Sequence, residues 1–159
     1  MFSNRDRERD VESQRDKARI DEMATDCIAL GVRTLNRVIT AVYDDALRSL
    51  GLKVGQLNIL VAAAKTGVAS PGKVCQVLQM DASTLSRNLE RMRARGWIEI
   101  VPGKDARAQP FALTPAGRRL LHKAIPAWET AQAEARRLLG ERGGAMLKFA
   151  PRTLHARAE

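Results

Sequence analysis

With 159 residues the chain has room for one cored domain and is short for two. Hydrophobic residues make up 45% and aromatics only 4%, so the core is expected to be helical and built from Leu, Val, Ile and Ala rather than from a β-sandwich. The net charge of +9 favours a polyanionic partner, while two cysteines, Cys27 and Cys75, are too few and too far apart for a disulfide framework or a zinc site.

The distribution of charge says more than its total. The first 26 residues hold six basic and eight acidic side chains, so the N-terminus is no basic arm. Between Arg87 and Lys123 there are nine Lys or Arg against three Asp or Glu. No stretch approaches the ~20 apolar residues of a membrane span, and the N-terminus lacks the apolar run of a signal peptide. A reducing cytoplasm is the expected compartment.

Residues 1–19 are polar, mixed in sign and without apolar period, and are expected to form a disordered lead-in. The alternative is a transient helix held by charge pairs along its surface. Residues 20–150 are expected to form one domain, with its centre at 52–121, and 151–159 a mobile tail. From Ile20 to about Leu50, Cys27, Leu30, Leu35, Val38, Val42 and Leu50 recur at helical spacings, and Gly51 stands where a helix end takes a left-handed residue. One domain need not cover so long a helix, so part of it is available to a second subunit.

Residues 55–66 read as a shorter helix with Leu57, Leu60, Val61 and Ala64 as its core face and a weak cap at Lys53-Val54. Ser70-Pro71 is an N-cap and first-turn pair, and starts a helix to about Gln79 that buries Val74, Val77 and Leu78. About three residues later comes DASTLSRNLERMRAR, residues 81–95. There Leu85, Leu89 and Met92 make a narrow apolar stripe, and Asp81 is placed as N-cap. The opposite side carries Ser83, Thr84, Arg87 and Arg91, with Ser86 and Asn88 on its flanks. Short hydroxyls and amides followed by guanidinium groups suit base edges and phosphates in a major groove. The close spacing of the two helices is that of a helix-turn-helix.

After Gly96 the period changes to two. Trp97 to Val101 and Gln109 to Leu113 read as two strands of a hairpin, with Lys104-Asp105-Ala106-Arg107-Ala108 as a charged tip: a basic wing. Thr114-Pro115 launches a last long helix with an apolar side through about residue 139, kinked at Pro126 and loosened at Gly140. The fold class is therefore mainly α with a small two- to three-stranded β-wing, a winged helix-turn-helix flanked by long helices. No nucleophile, acid/base pair or phosphate loop appears, and His122 and His155 stand alone, so neither an enzyme, a cofactor nor a metal is expected.

The run DASTLSRNLERMRARGWIEI, the wing residues Asp105-Ala106-Arg107 and the exit FALTPAGRRLL resemble the MarR-type bacterial transcription regulators, a likeness that extends over about residues 21–149. That resemblance implies a homodimer built from the N- and C-terminal helices. It also implies two recognition helices in successive major grooves of a pseudo-palindromic operator, and a small-molecule effector that releases double-stranded DNA. It places Ser83, Thr84, Ser86, Arg87, Asn88 and Arg91 at recognition-helix positions, and Ser70 at a phosphate-contacting one. Lys104 lies in the wing, and Asp105 orients Arg107 there for the minor groove. Ala82 departs from the pattern, since a longer polar residue is frequent there, and shifts the weight of base reading to Arg87. The effector is expected in a cleft between the last helix and the winged domain.

Some members sense peroxides through a cysteine in the first helix, where Cys27-Ile28-Ala29-Leu30 is similar. A reactive thiol needs donors or cations beside it, and Tyr43 is the one tyrosine available. The expectation for Cys27 is a buried structural residue, with redox sensing as the alternative. A non-specific DNA-binding protein is a further alternative.

Overall fold

A computed structural model describes the backbone of residues 4–102 and 109–155, and the side chains of residues 12–102 and 109–147. The expected wing tip, with Lys104, Asp105 and Arg107, lies outside the described residues. The chain divides into two compact units, residues 1–39 and 40–159.

In the first unit, α1 (Asn4–Thr25) occupies the polar lead-in, so a helix stands where disorder was expected. Arg, Glu, Gln, Lys and Ala are strong helix formers, and opposite charges recur three apart at Glu12/Arg15 and Asp16/Arg19. Every residue from Glu12 to Thr34 is exposed, so no face of α1 from Glu12 onward is buried. The single helix expected from Ile20 to Leu50 is in fact broken at Asp26-Cys27. Thr25 Oγ1 donates back to the Asp21 carbonyl at 3.0 Å, and the ladder restarts with Gly31 N donating to Cys27 O at 3.0 Å in α2 (Ile28–Ala46). Cys27 sits at that break and is exposed, not buried as expected.

The second unit begins in α2, whose last turn is followed by a 3-10 turn at Arg48–Leu50 and then by Gly51 in the left-handed region at φ 61°. Leu47 beneath that turn is fully buried. Next comes α3 (Val54–Thr66), whose start lacks a capping hydroxyl. Asp44 of α2 supplies the acceptor instead: its Oδ1 takes Val54 N at 2.8 Å and its Oδ2 pairs with Lys53 Nζ at 3.2 Å. Gln56 Oε1 accepts Lys53 N at 3.2 Å and completes the start. The buried face of α3 is Leu57, Ile59, Leu60 and Ala63, while Val61 and Ala64 are exposed.

Val68–Ala69 forms β1, α4 spans Pro71–Leu78 and α5 spans Ala82–Ala94; β2 (Ile98–Ile100) and β3 (Phe111–Leu113) follow. The three strands form an antiparallel sheet in the order β1-β3-β2, with Ala69 opposite Phe111 and Ile98 opposite Leu113. β1 is the strand that periodicity missed, because two residues are too short to show a period. On α4, Val74 is buried and Cys75 packs on the core, whereas Val77 is 67% exposed, against expectation. Leu85 and Met92 of α5 are buried and Leu89 packs beside them. Together with Leu47, Leu52, Ile59, Leu60, Ile98, Phe111 and Leu113 they make the core.

The last helix, α6 (Pro115–His155), starts from a clasp. Thr114 N donates to Trp97 O at 3.1 Å, Thr114 Oγ1 donates to Gly96 O at 2.6 Å, and Gly117 N donates to Thr114 Oγ1 at 3.0 Å. Thr114 thus caps α6 and ties it to the turn after α5. The backbone of α6 departs from helical angles at Gly140 (φ 65°, ψ 174°), not at Pro126, and then continues through Pro151. That pair of angles is open essentially to glycine alone, which is why the break falls there. Pro126 removes one N–H from the ladder without leaving the helical region.

At the start of α5, Asp81 accepts from Thr84 N at 2.7 Å, from Ser83 Oγ at 2.6 Å and from Thr84 Oγ1 at 2.7 Å. Those donors, the Ser83 hydroxyl foremost, hold its carboxyl well below the usual carboxylate range. A depressed folded-state pKa stabilises the fold in full above the unfolded value of about 3.9, and that stabilisation is lost as pH falls through the folded value. Asp81→Ala is therefore expected to lower the melting temperature by a constant amount from pH 8 to 5, with the gap to wild type closing in thermal scans below about pH 4. A Cβ on Gly117 would overlap the carbonyl of Trp97, whereas one on Gly72 would meet open space. In urea titrations Gly117→Ala is expected to destabilise by about 1–3 kcal/mol, and Gly72→Ala to stabilise by about 0.4–1 kcal/mol.

Candidate nucleic-acid interface

α4 and α5 are separated by Gln79, Met80 and Asp81. Gln79 adopts a left-handed conformation (φ 49°) and its N–H closes α4 on Cys75 O. This tight turn sets α5 against the core by its apolar stripe and leaves the other side to solvent. Ser83, Ser86, Arg87 and Arg91 are exposed, and Thr84 and Asn88 are half-buried on the flank. Ser70 is the N-cap residue of α4, but its side chain makes no capping bond to the helix. Its hydroxyl is thus left for another acceptor or donor.

The hydrogen bonds separate two kinds of residue on this face. The hydroxyl hydrogens of Ser83 and Thr84 both go to Asp81, and Asn88 Nδ2 donates to Thr84 O at 2.9 Å. Arg87 lies back along the helix, with Nε on Ser83 O and Nη2 on Ser83 Oγ, each at 3.2 Å. Those two bonds use only part of its fork. Three ion pairs occur among the described residues, Arg48–Asp45, Lys53–Asp44 and Arg137–Glu134. None uses an arginine of α5, so Arg87, Arg91 and Arg93 keep their charge for an outside anion.

Arg95, just past the end of α5, is committed elsewhere. Its Nη1 donates to Gly51 O at 2.6 Å, and its guanidinium lies 4.9 Å from the centre of the Trp97 ring. Nothing local to Arg95 could reveal a partner 44 positions away. Elsewhere in the unit, the Tyr43 hydroxyl donates to Gln132 Oε1. Burial raises its pKa, partly offset by Arg136.

One flank of α5 borders a groove of about 730 Å³. Pro71 and Cys75 of α4, Leu85 and Leu89 of α5 and Ile100 of β2 give it an apolar floor; Ser86, Glu90 and Arg93 give it a polar edge. Ser86 thus faces both solvent and the groove. Among the described residues no three His, Cys, Asp or Glu side chains gather as a metal site, and no helix is long and apolar enough to cross a membrane.

The MarR family model matches residues 50–108. The multiple antibiotic resistance protein MarR of Salmonella typhimurium is 28% identical over 99 residues, 60% of this chain and 69% of that protein. Among solved structures, the M. tuberculosis transcriptional regulator MOSR in complex with DNA is 30% identical, with a TM-score of 0.70 over 82% of this chain and 97% of that one. Bordetella bronchiseptica BpsR shares the fold at 20% identity and a TM-score of 0.70, over 81% of this chain and 93% of its own. With MOSR matched along nearly its whole length, and with the family model falling on the helix-turn-helix, the chain belongs to the MarR family of transcription regulators.

Proposed function

We infer that the protein is a sequence-specific, double-stranded DNA-binding repressor that works as a homodimer on a pseudo-palindromic operator and answers to a small-molecule effector. The observation that carries this reading is the outer face of α5, where Arg87 and Arg91 are exposed and make no ion pair among the described residues, beside a tight helix-turn-helix. Two such helices, one from each protomer, read successive major grooves when their spacing matches one helical turn of DNA. Ser70 and the wing residues Lys104, Asp105 and Arg107 add backbone and minor-groove contacts in this scheme. The relative MOSR was solved in complex with DNA, which agrees with it.

Dimerisation is supported by exposed apolar side chains in each unit. Ile20, Met23, Ile28, Leu30, Val32 and Val38 are exposed in the first unit. Ile125, Trp128, Leu138, Met146 and Leu147 are exposed along α6 in the second. A water-facing apolar surface of that extent is ordinarily covered by a partner. Effector control is supported by the groove against α5; no residue of α6 lines it, so it is not the cleft beside the last helix that was expected, and an occupant would touch Ser86, Leu89 and Arg93 of α5 itself. DNA binding by BpsR is regulated by 6-hydroxynicotinic acid. A ligand releases DNA only by binding better to the arrangement that no longer fits the operator.

A second reading, control by peroxide, is favoured by one observation: Cys27 is exposed, as a sensing thiol has to be. Peroxide should then abolish operator binding by wild type and spare Cys27→Ser; an equal response of both ends that reading.

Selection of bound fragments from the host genome is expected to return a palindrome rather than random sequence. On that operator, Arg87→Ala should cost about 1–3 kcal/mol and relax preference at one base position per half-site, measured by titration of labelled duplexes. Arg107→Ala should weaken binding to all sequences alike. Sedimentation should give twice the chain mass. Equal affinity and equal salt slope on every duplex would instead mark a non-specific DNA binder.

A further inference from the structure

Ser83 and Arg87 stand one turn apart on the outer face of α5, just after the cap residue Asp81. Three side chains form a directed chain here. The single hydroxyl hydrogen of Ser83 goes to Asp81 Oδ1 at 2.6 Å. Ser83 Oγ is thereby left as an acceptor, and Arg87 Nη2 donates to it at 3.2 Å. Arg87 Nε donates to the Ser83 carbonyl at 3.2 Å, so one edge of the guanidinium is held at two points. Asp81 is itself fixed by Thr84, whose N–H and hydroxyl each reach it at 2.7 Å. Its carboxylate therefore has no freedom to turn away from Ser83.

A guanidinium carries five N–H donors in one plane. The two bonds to Ser83 occupy the Nε–Nη2 edge, and the Nη1–Nη2 edge of this exposed side chain, with one N–H from each nitrogen, makes no hydrogen bond among the described residues. Two parallel donors match two adjacent acceptors. In the major groove guanine offers such a pair, O6 and N7, whereas adenine offers N7 beside an amino donor that opposes the arginine. A fork already arrested from behind also loses less rotational freedom when it engages.

Resting on the assignment of α5 as the DNA-reading helix, we propose that Ser83 is a positioning residue that presents Arg87 to one guanine in each half-site, with Asp81 setting the direction of the Ser83 hydroxyl. Ser83 acts through Arg87 and does not itself read a base. The hydroxyl that suits it to contact DNA is spent inside the protein, and its contribution to recognition is indirect.

The test uses the full-length protein and the selected operator, with each base pair of a half-site exchanged in turn. Wild type is expected to show one G·C pair at which exchange to A·T lowers affinity about tenfold or more. In Ser83→Ala that factor should fall to about a third of its wild-type size, at that pair alone and with the salt slope unchanged. Ser83→Thr, which keeps the hydroxyl, should restore it, and Arg87→Lys, which presents a point charge, should not. Two results overturn the proposal while leaving the regulator reading intact: an undiminished factor in Ser83→Ala, or an equal loss at every base pair, as a merely weakened helix would give. If wild type prefers no sequence at all, both fall together.

Discussion

The hold of Thr114 on the turn after α5 is the interaction on which the remaining geometry depends. Its N–H and hydroxyl take the carbonyls of Trp97 and Gly96, and the same hydroxyl accepts the N–H of Gly117 to start α6. One residue thereby joins the end of α5, the start of the hairpin and the last helix. Gly117 is part of the arrangement, because only a residue without Cβ admits the Trp97 carbonyl so close. Arg95 adds a second tie from the same turn to Gly51, at the end of the 3-10 turn that follows α2. Helix, sheet and flanking helices are thus referenced to one short stretch of backbone, residues 95–97.

That dependence explains why part of the architecture was legible in the residues and part was not. Local devices announce themselves. Asp81 before an apolar stripe, Ser-Pro and Thr-Pro at helix starts, Gly51 at a helix end and the change of period after Gly96 all hold at their positions. Ties between distant residues leave no local trace. The weak cap of α3 is made good by Asp44, ten positions earlier, and Arg95 finds Gly51 44 positions earlier. α3 is apolar on nearly every side, so periodicity could not choose Ile59 and Ala63 over Val61 and Ala64. The break in α6 followed the residue free to take a positive φ, Gly140, rather than the residue lacking an N–H, Pro126.

The outer face of α5 shows the same division. Which side of α5 faces outward followed from Leu85, Leu89 and Met92. Which donors on that side are still free did not, because hydroxyls and guanidinium groups compete for the same few acceptors within one turn of helix. Ser83 and Thr84 look like DNA contacts by type, yet their hydrogens are already given to a carboxylate. The arginines further along keep an unshared charge. The groove beside Ser86 was equally invisible, since it is formed jointly by α4, α5 and β2.

The two tryptophans of the chain fall in contrasting places. Trp97 is half-buried at the junction of α5 and the sheet, under the guanidinium of Arg95, while Trp128 is 42% exposed on α6. Their emission is therefore resolvable by environment, one indole shielded and beside a cation, the other open to water. The molecule carries its own pair of optical reporters, one at the hub of the winged unit and one on a helix with an exposed apolar side.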